Sequence, residues 1–99
     1  MKELKDYPVE AAESLTAPTM DMHRAIVTLS EKLAELDRSN QRIDACTDSS
    51  LVSILNEERD SEKKNISMLL EWMRRHDPKF DHALRAALFK AGPIAEDRY

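Results

Sequence analysis

The sequence predicts an all-α fold, in which two long helices form an antiparallel hairpin and a short third helix follows. Three kinds of observation predict it: the composition, the spacing of apolar residues, and the residues that start and stop helices. The chain of 99 residues is 41% hydrophobic and 34% charged but only 5% aromatic, and it contains a single glycine. Such a composition favours helices over sheets.

The first helix is predicted from Pro18 onwards, because apolar residues follow at intervals of three and four. Proline suits the first turn of a helix, where its missing N–H costs nothing. Polar Asn40 occupies one skipped step of the apolar stripe. The pattern indicates one face of a helix of about 28 residues. The apolar positions of this stripe are Met22, Ile26, Leu29, Leu33, Leu36 and Ile43.

The second helix is predicted after the segment ACTDSS, which interrupts the apolar rhythm. Asp48 or Ser49 is a suitable N-cap for it, and the apolar pattern ends near His76. Asp77 and Pro78 then stop this helix and start a third, since aspartate caps helices and proline fits the first helical position.

These signals divide the chain into a flexible N-terminal arm at 1–17, a helical region at 18–91 and a C-terminal tail at 92–99. A helical hairpin leaves much of each apolar stripe exposed, and a chain this small buries little surface by itself. Two hairpins that pair can cover their stripes in a four-helix bundle. We therefore expect a homo-oligomer rather than a monomer.

Charge and composition exclude several classes of partner. The net charge of −4 argues against nucleic-acid binding, which requires a basic surface. No apolar run has the length of a signal peptide or a membrane span, so no membrane association is expected. Cys46 is the single cysteine, so no internal disulfide can form. A cytoplasmic, reducing location fits this pattern.

The segment NEERDSEKKNIS, residues 56–67, places polar residues where the second helix should be apolar. Glu58, Glu62 and Asn65 lie at helical spacing within it. Carboxylates at such spacing inside a helical bundle are typical of metal sites, above all as a Glu-x-x-His pair. The first helix offers Glu31 near its own apolar stripe.

Five short tracts, in order and at the right spacing, resemble the encapsulated ferritin family. The resemblance implies a ferritin-like four-helix bundle made by two protomers, which assembles further into a ring, usually a decamer. It also implies oxidation of ferrous iron at a di-iron centre between two subunits, and packaging inside an encapsulin shell. The tracts are HRAIV (23–27), QRIDA (41–45), NEERDSEK (56–63), LEWMRRHD (70–77) and LF-x-x-GPI (88–94).

The resemblance implies three ligand positions per chain: a glutamate on the first helix and a Glu-x-x-His pair on the second. Glu62 matches the glutamate of the pair, but Asn65 stands in place of the histidine. Lys32 stands in place of the first-helix glutamate. Arg38 and Ser39 replace an aromatic pair that supports the centre in the family.

Further acidic residues are candidate ligands beside Glu62. By resemblance, Glu31 matches an acidic entry position outside the centre, and Ala34 replaces its acidic companion. Glu31 and Glu58 are therefore weaker metal candidates. Together with Glu35 they offer an alternative, a site for calcium or another hard cation where subunits meet.

The substitutions at the centre change its chemistry. An asparagine oxygen is a weak neutral ligand that does not replace an imidazole. A protonated lysine has no lone pair and brings a positive charge into a site meant for cations. Two copies of Lys32 and Glu62 would be close to charge-balanced without a metal. We predict an ion pair between Lys32 and Glu62 across the subunit contact, and an impaired di-iron centre.

Three functions remain open from the sequence. The first is an iron-related oligomer with an impaired centre, which serves as an accessory or structural subunit. The second is an active ferroxidase that mineralises iron as encapsulin cargo, with Glu31 or Glu58 moved inward as altered ligands. The third is a helical interaction module without metal chemistry. After GPI the sequence reads AEDRY, without a Gly/Leu-rich docking tail. Shell targeting is therefore either lost or carried outside this chain.

Overall fold

The computed structural model describes residues 8–95, which form two long α-helices and a short third one. A 3-10 turn at Ala12–Ser14 comes first. It is followed by helix α1 at Ala17–Ala45, helix α2 at Ser49–His76 and helix α3 at Pro78–Ala87. The two long helices pack against each other as a hairpin, and α3 packs on α2. The predicted all-α fold is confirmed. The ends of the predicted arm and tail, residues 1–7 and 96–99, lie outside the described residues.

Both long helices begin at side-chain caps. Thr16 precedes α1, and its hydroxyl oxygen accepts a hydrogen bond from the backbone N–H of Thr19 at 3.3 Å. Pro18 lies in the first turn of α1, as predicted. Asp48 precedes α2, and its carboxylate accepts from the N–H of Leu51 at 2.9 Å. These caps satisfy N–H groups that a helix leaves without partners at its first turn.

Asp77 separates α2 from α3 and caps the second of them. Its carboxylate accepts hydrogen bonds from the backbone N–H groups of Lys79 at 3.1 Å and Phe80 at 3.0 Å. Its own backbone is extended, with φ −143° and ψ 101°, so the helical path of α2 ends at His76. The predicted stop and restart at Asp77 and Pro78 is confirmed.

The contact between α1 and α2 is a thin core. Its buried apolar residues are Ala25, Ile66 and Met73, and no described side chain is less than 2% exposed. The radius of gyration is 17.5 Å, whereas a compact domain of about 100 residues has about 13 Å. Among the described residues, nine large apolar ones are exposed: Val9, Ile26, Leu33, Leu51, Ile54, Met68, Leu88, Phe89 and Ile94. The hairpin thus leaves much of its apolar surface uncovered.

Within residues 8–95, no helix combines the length and apolar character needed to cross a lipid bilayer. Charged residues recur along every helix of this range.

An ion network fastens α3 to the end of α2. The guanidinium of Arg74 donates to Glu71 at 2.7 and 2.8 Å and to Asp81 of α3 at 2.5 Å. Arg75 donates to Glu71 at 2.6 Å, and Arg85 donates to Asp81 at 2.9 Å. Hydrogen bonds from Arg74 and Arg75 lower the pKa of Glu71 to about 2. The hydrogen bond from Arg74 also lowers the pKa of Asp81.

Replacing Asp77 by alanine tests the cap of α3. Asp77→Ala is expected to lower the free energy of unfolding by about 1 kcal/mol, because two N–H groups lose their acceptor. Urea denaturation at a fixed protein concentration, followed by circular dichroism, measures this change. Asp60→Ala, on an exposed part of α2, is the matched control and should change stability by less than about 0.5 kcal/mol. Equal losses in the two variants would contradict the capping role.

The ion network predicts an acid-dependent loss of stability. The pKa of Glu71 falls from 4.5 to about 2 on folding. A lowered folded-state pKa stabilises the fold above the unfolded pKa, and this stabilisation is lost as pH falls through the folded value. The difference in urea midpoint between the wild-type chain and Arg74→Met should therefore shrink from about pH 4.5 down to about pH 2. A difference that stays constant over this range would show that Arg74 acts through packing alone.

Candidate functional site

The carboxylate of Glu62, in the middle of α2, is where polar side chains of the two long helices meet. Lys32 of α1 places its Nζ 3.3 Å from Glu62 Oε1. Asn65, one turn further along α2, donates from Nδ2 to the same oxygen, also at 3.3 Å. The side chain of Glu62 is 15% exposed and that of Lys32 is 36% exposed. We call these three side chains the Glu62 cluster.

The antiparallel hairpin explains why Lys32 reaches Glu62. The two helices run in opposite directions from a short connection, so residues at similar distances from that connection lie opposite each other. The sequence predicted this ion pair across a subunit contact, whereas the structure forms it within one chain. The lysine side chain spans the helix–helix gap along its aliphatic stem and leaves its ammonium at the edge of the core.

The other acidic candidates take different positions. Glu58 lies beside Glu62 in an open groove of about 670 Å³. Glu31 is exposed and does not line this groove. The residues that line it are Glu35, Ser39, Glu57, Glu58, Asp60, Ser61, Glu62 and Lys64. The structure thus brings Glu58 and Glu62 to one surface and leaves Glu31 apart from them.

Glu35 is held by two arginines of its own helix. Arg38 donates to Glu35 Oε2 at 2.9 Å, and Arg42 donates to Oε1 at 3.0 Å. These hydrogen bonds, first from Arg38 and then from Arg42, lower the pKa of Glu35. Ser39, next to Arg38, is 7% exposed and lines the same groove as Glu58 and Glu62 of α2. Glu35 is therefore an ionised carboxylate whose oxygens are already engaged.

A second polar contact between the long helices was not found from the sequence. Arg59 of α2 donates to Asn40 Oδ1 of α1 at 3.4 Å and to Asn56 Oδ1 at 2.9 Å. Its Nε atom is buried and has no hydrogen-bond partner within the described residues. Asn40 was the available signal, because a polar residue in an apolar stripe implies a polar partner on the facing helix.

The donor set of the Glu62 cluster does not fit a di-iron centre. It consists of one carboxylate, one amide and one ammonium, whereas di-iron proteins of helical bundles use carboxylates and imidazoles. The ammonium has no lone pair to give a metal ion. Among residues 8–95, no three histidine, cysteine, aspartate or glutamate side chains come together in a way that could hold a metal.

Comparison with known proteins places the chain in a family. A model of the EncFtn-like family matches residues 8–91. The chain belongs to the encapsulated ferritin-like family. An encapsulated ferritin-like protein from Rhodospirillum rubrum is 47% identical over 85 residues, which cover 86% of this chain and 61% of that protein. This chain therefore spans about three-fifths of the length of that relative.

Two further proteins support the assignment. A ferritin-like protein from Thermotoga maritima is 38% identical over 93 residues, which cover 94% of this chain and 82% of that protein. A crystal structure of a protein from Nitrosomonas europaea matches with a TM-score of 0.84 at 49% identity, over 89% of this chain and 98% of that chain. The encapsulated ferritin-like resemblance predicted from the five tracts is confirmed.

A substitution at Asn65 tests the contacts around Glu62. Asn65→Asp is expected to lower the free energy of unfolding at pH 7 by about 1 kcal/mol, because an amide donor is replaced by a second carboxylate. Asn56→Asp is the matched control. It makes the same change where Arg59 donates at 2.9 Å, so the new charge should be neutral or stabilising. Urea denaturation measures the free energy of unfolding of both variants. Equal changes in the two would rule out a specific contact at Glu62.

Proposed function

We propose that this protein is an iron-related, oligomeric member of the encapsulated ferritin-like family whose own di-iron ferroxidase centre is impaired. The observation that carries the proposal is the ammonium of Lys32, which lies 3.3 Å from Glu62. A ferrous ion that approached this carboxylate would meet a cation already in place. Such an ion would have to displace Lys32 and would then leave the ammonium without its counter-ion.

Asn65 supports the same conclusion from the other side of Glu62. Its amide nitrogen donates to Glu62 Oε1, so the side chain acts as a hydrogen-bond donor to the carboxylate. An imidazole at this position would offer iron a strong nitrogen ligand, whereas the amide offers only a weak oxygen. Two of the three family ligand positions thus hold side chains that serve the carboxylate rather than a metal.

The role that remains is that of a structural or accessory subunit. The exposed apolar residues of the hairpin favour association, because a chain this small is hard to stabilise with so thin a core. We propose a homodimer with a four-helix arrangement, and its further assembly into a ring, in the cytoplasm. An encapsulin shell is the proposed compartment; family membership and the encapsulated relative from Rhodospirillum rubrum support it.

An active ferroxidase with altered ligands is the second candidate, and the acidic groove favours it. Glu58 and Glu62 line this groove together with Glu57 and Asp60. Carboxylate oxygens are the ligands that hard cations prefer. Crystals soaked with ferrous iron distinguish the two proposals. Anomalous density at Glu62 would favour the active enzyme. Density at Glu58 alone, with none at Glu62, would indicate a hard-cation site and an impaired di-iron centre.

Iron titration tests the proposal in solution. Apo-protein mixed with ferrous iron in air is expected to show no saturable oxidation phase and no stoichiometric binding, because Lys32 neutralises Glu62. The double variant Lys32→Glu with Asn65→His restores the family donor types and is expected to gain saturable metal binding. Ultraviolet absorbance stopped-flow and metal analysis after gel filtration measure the two quantities.

The matched control is Lys63→Glu with Asn56→His, which makes the same two replacements on α2 outside the Glu62 cluster. It should behave as the wild-type chain does. A fast, saturable oxidation burst from metal-free wild-type protein would overturn the proposal. A double variant that assembles but binds no metal would show that the backbone around Glu62, as well as its side chains, differs from that of active relatives.

A further inference from the structure

We propose that Lys32 is a built-in counter-ion that lets two copies of this chain pair across α2 without a divalent cation. The inference rests on the proposed impairment of the metal centre, but it concerns assembly and not iron oxidation. It assigns Lys32 a positive role, which is to supply the charge that two approaching carboxylates need. The partner is a second copy of this chain.

One face of α2 stays uncovered beside the Glu62 cluster. Leu51, Ile54 and Met68 are 47%, 54% and 56% exposed. They share this face with Asn65, because they lie 14, 11 and 3 residues from it, and each of these spacings returns to nearly the same side of an α-helix. Asn65 in turn donates to Glu62. The ion pair therefore lies at the edge of an exposed apolar face and not in the solvated back of the helix.

The face is self-complementary. Ile54 and Met68 lie seven residues before and seven residues after Ser61, a small residue in the same groove. A twofold axis at Ser61 between two antiparallel α2 helices would set Ile54 of one copy against Met68 of the other. The same axis would set Glu58 against Lys64. Pairing of identical surfaces in this way is how closed dimers form, and it identifies a second copy as the occupant.

The same axis brings the two Glu62 carboxylates close together, since each is one residue from Ser61. Glu62 is already 15% exposed in the single chain, and a covering copy would remove most of its remaining water. Two carboxylates in a shared, dry seam repel each other, and each loses hydration. Without a cation, this repulsion would oppose the association that the apolar residues favour.

Lys32 removes this obstacle. Each copy carries its own ammonium 3.3 Å from Glu62, so the two Glu62 carboxylates come together with two counter-ions of their own. A lysine has three N–H donors, and the side chain of Lys32 is still 36% exposed. Its remaining donors can reach the carboxylate of the second copy, which closes a ring of four alternating charges. Pairing then requires no metal ion.

Sedimentation velocity of the full chain tests the inference. The wild-type chain is expected to pair equally in excess EDTA and in excess Mn²⁺. Lys32→Glu places two carboxylates per copy at the seam, so its dissociation constant in EDTA should rise at least about tenfold. Mn²⁺ should restore pairing of this variant, because the ion then supplies the missing positive charge. Lys32→Met, which keeps the aliphatic stem, should also weaken pairing in EDTA.

Two further variants separate the ion pair from general charge effects. Lys63→Glu makes the same charge change at an exposed position of α2 outside the groove and should pair as the wild-type chain does. Lys32→Glu with Glu62→Lys exchanges the two charges and should regain pairing in EDTA. Circular dichroism establishes that each variant is helical before its dissociation constant is compared. If Lys32→Glu fails to fold, Lys32→Met and the charge-exchange variant test the inference instead.

Wild-type chains that are monomeric in both solutions, or that separate in EDTA, would overturn the inference. A Lys32→Glu chain that pairs in EDTA as the wild-type chain does would also overturn it. The same holds if the exposed face of α2 binds a helix of another protein while the chain itself does not self-associate. These outcomes differ from failure of the proposed function. An oxidation burst from a wild-type chain that pairs in EDTA would overturn the impaired centre and leave the role of Lys32 in pairing intact.

Discussion

The ion pair between Lys32 and Glu62 is the contact on which the chemistry of this hairpin depends. The core between α1 and α2 is thin, and Glu62 is 15% exposed at its edge. At that position a carboxylate keeps little water, so it requires a cation or a strong donor close by. The antiparallel hairpin supplies Lys32 from the facing helix, and the next turn of α2 supplies Asn65. The Lys32 ammonium and the Asn65 amide thus provide the counter-ion and the hydrogen bond of the Glu62 carboxylate from within one chain.

Charges elsewhere in the hairpin have a different role. The network of Glu71, Arg74 and Asp81 joins α3 to α2 through side chains that are 42%, 26% and 30% exposed, and ion pairs open to water contribute little free energy each. The geometry at that end depends more on Asp77, which ends one helix and caps the next. The ends of the hairpin are therefore defined by caps, while its middle is defined by one half-buried pair of charges.

The helices could be predicted almost entirely from the sequence, because apolar spacing and the caps at Asp48 and Asp77 are local signals. The site could be predicted only in part. Matching the family tracts identified Lys32 and Glu62 as neighbours but assigned them to different chains, since such matching gives positions and not the chain that each belongs to. The contact of Arg59 with Asn40 was not predicted, because helical spacing does not determine where a long, flexible side chain ends. Surface ion pairs within one helix were missed for the same reason.

The two replacements at the centre are coupled by charge. A histidine at position 65 with Lys32 retained would place an imidazole near an ammonium. The Glu62 carboxylate between them would still be paired with Lys32 and not with a metal ion. A glutamate at position 32 with Asn65 retained would leave carboxylates without a nitrogen ligand or a counter-ion. Each single change is thus unfavourable while the other residue stays as it is. In the proposed function, Lys32 and Asn65 together form a consistent alternative to a metal site, in which Glu62 keeps its place and the protein supplies the positive charge that iron would bring.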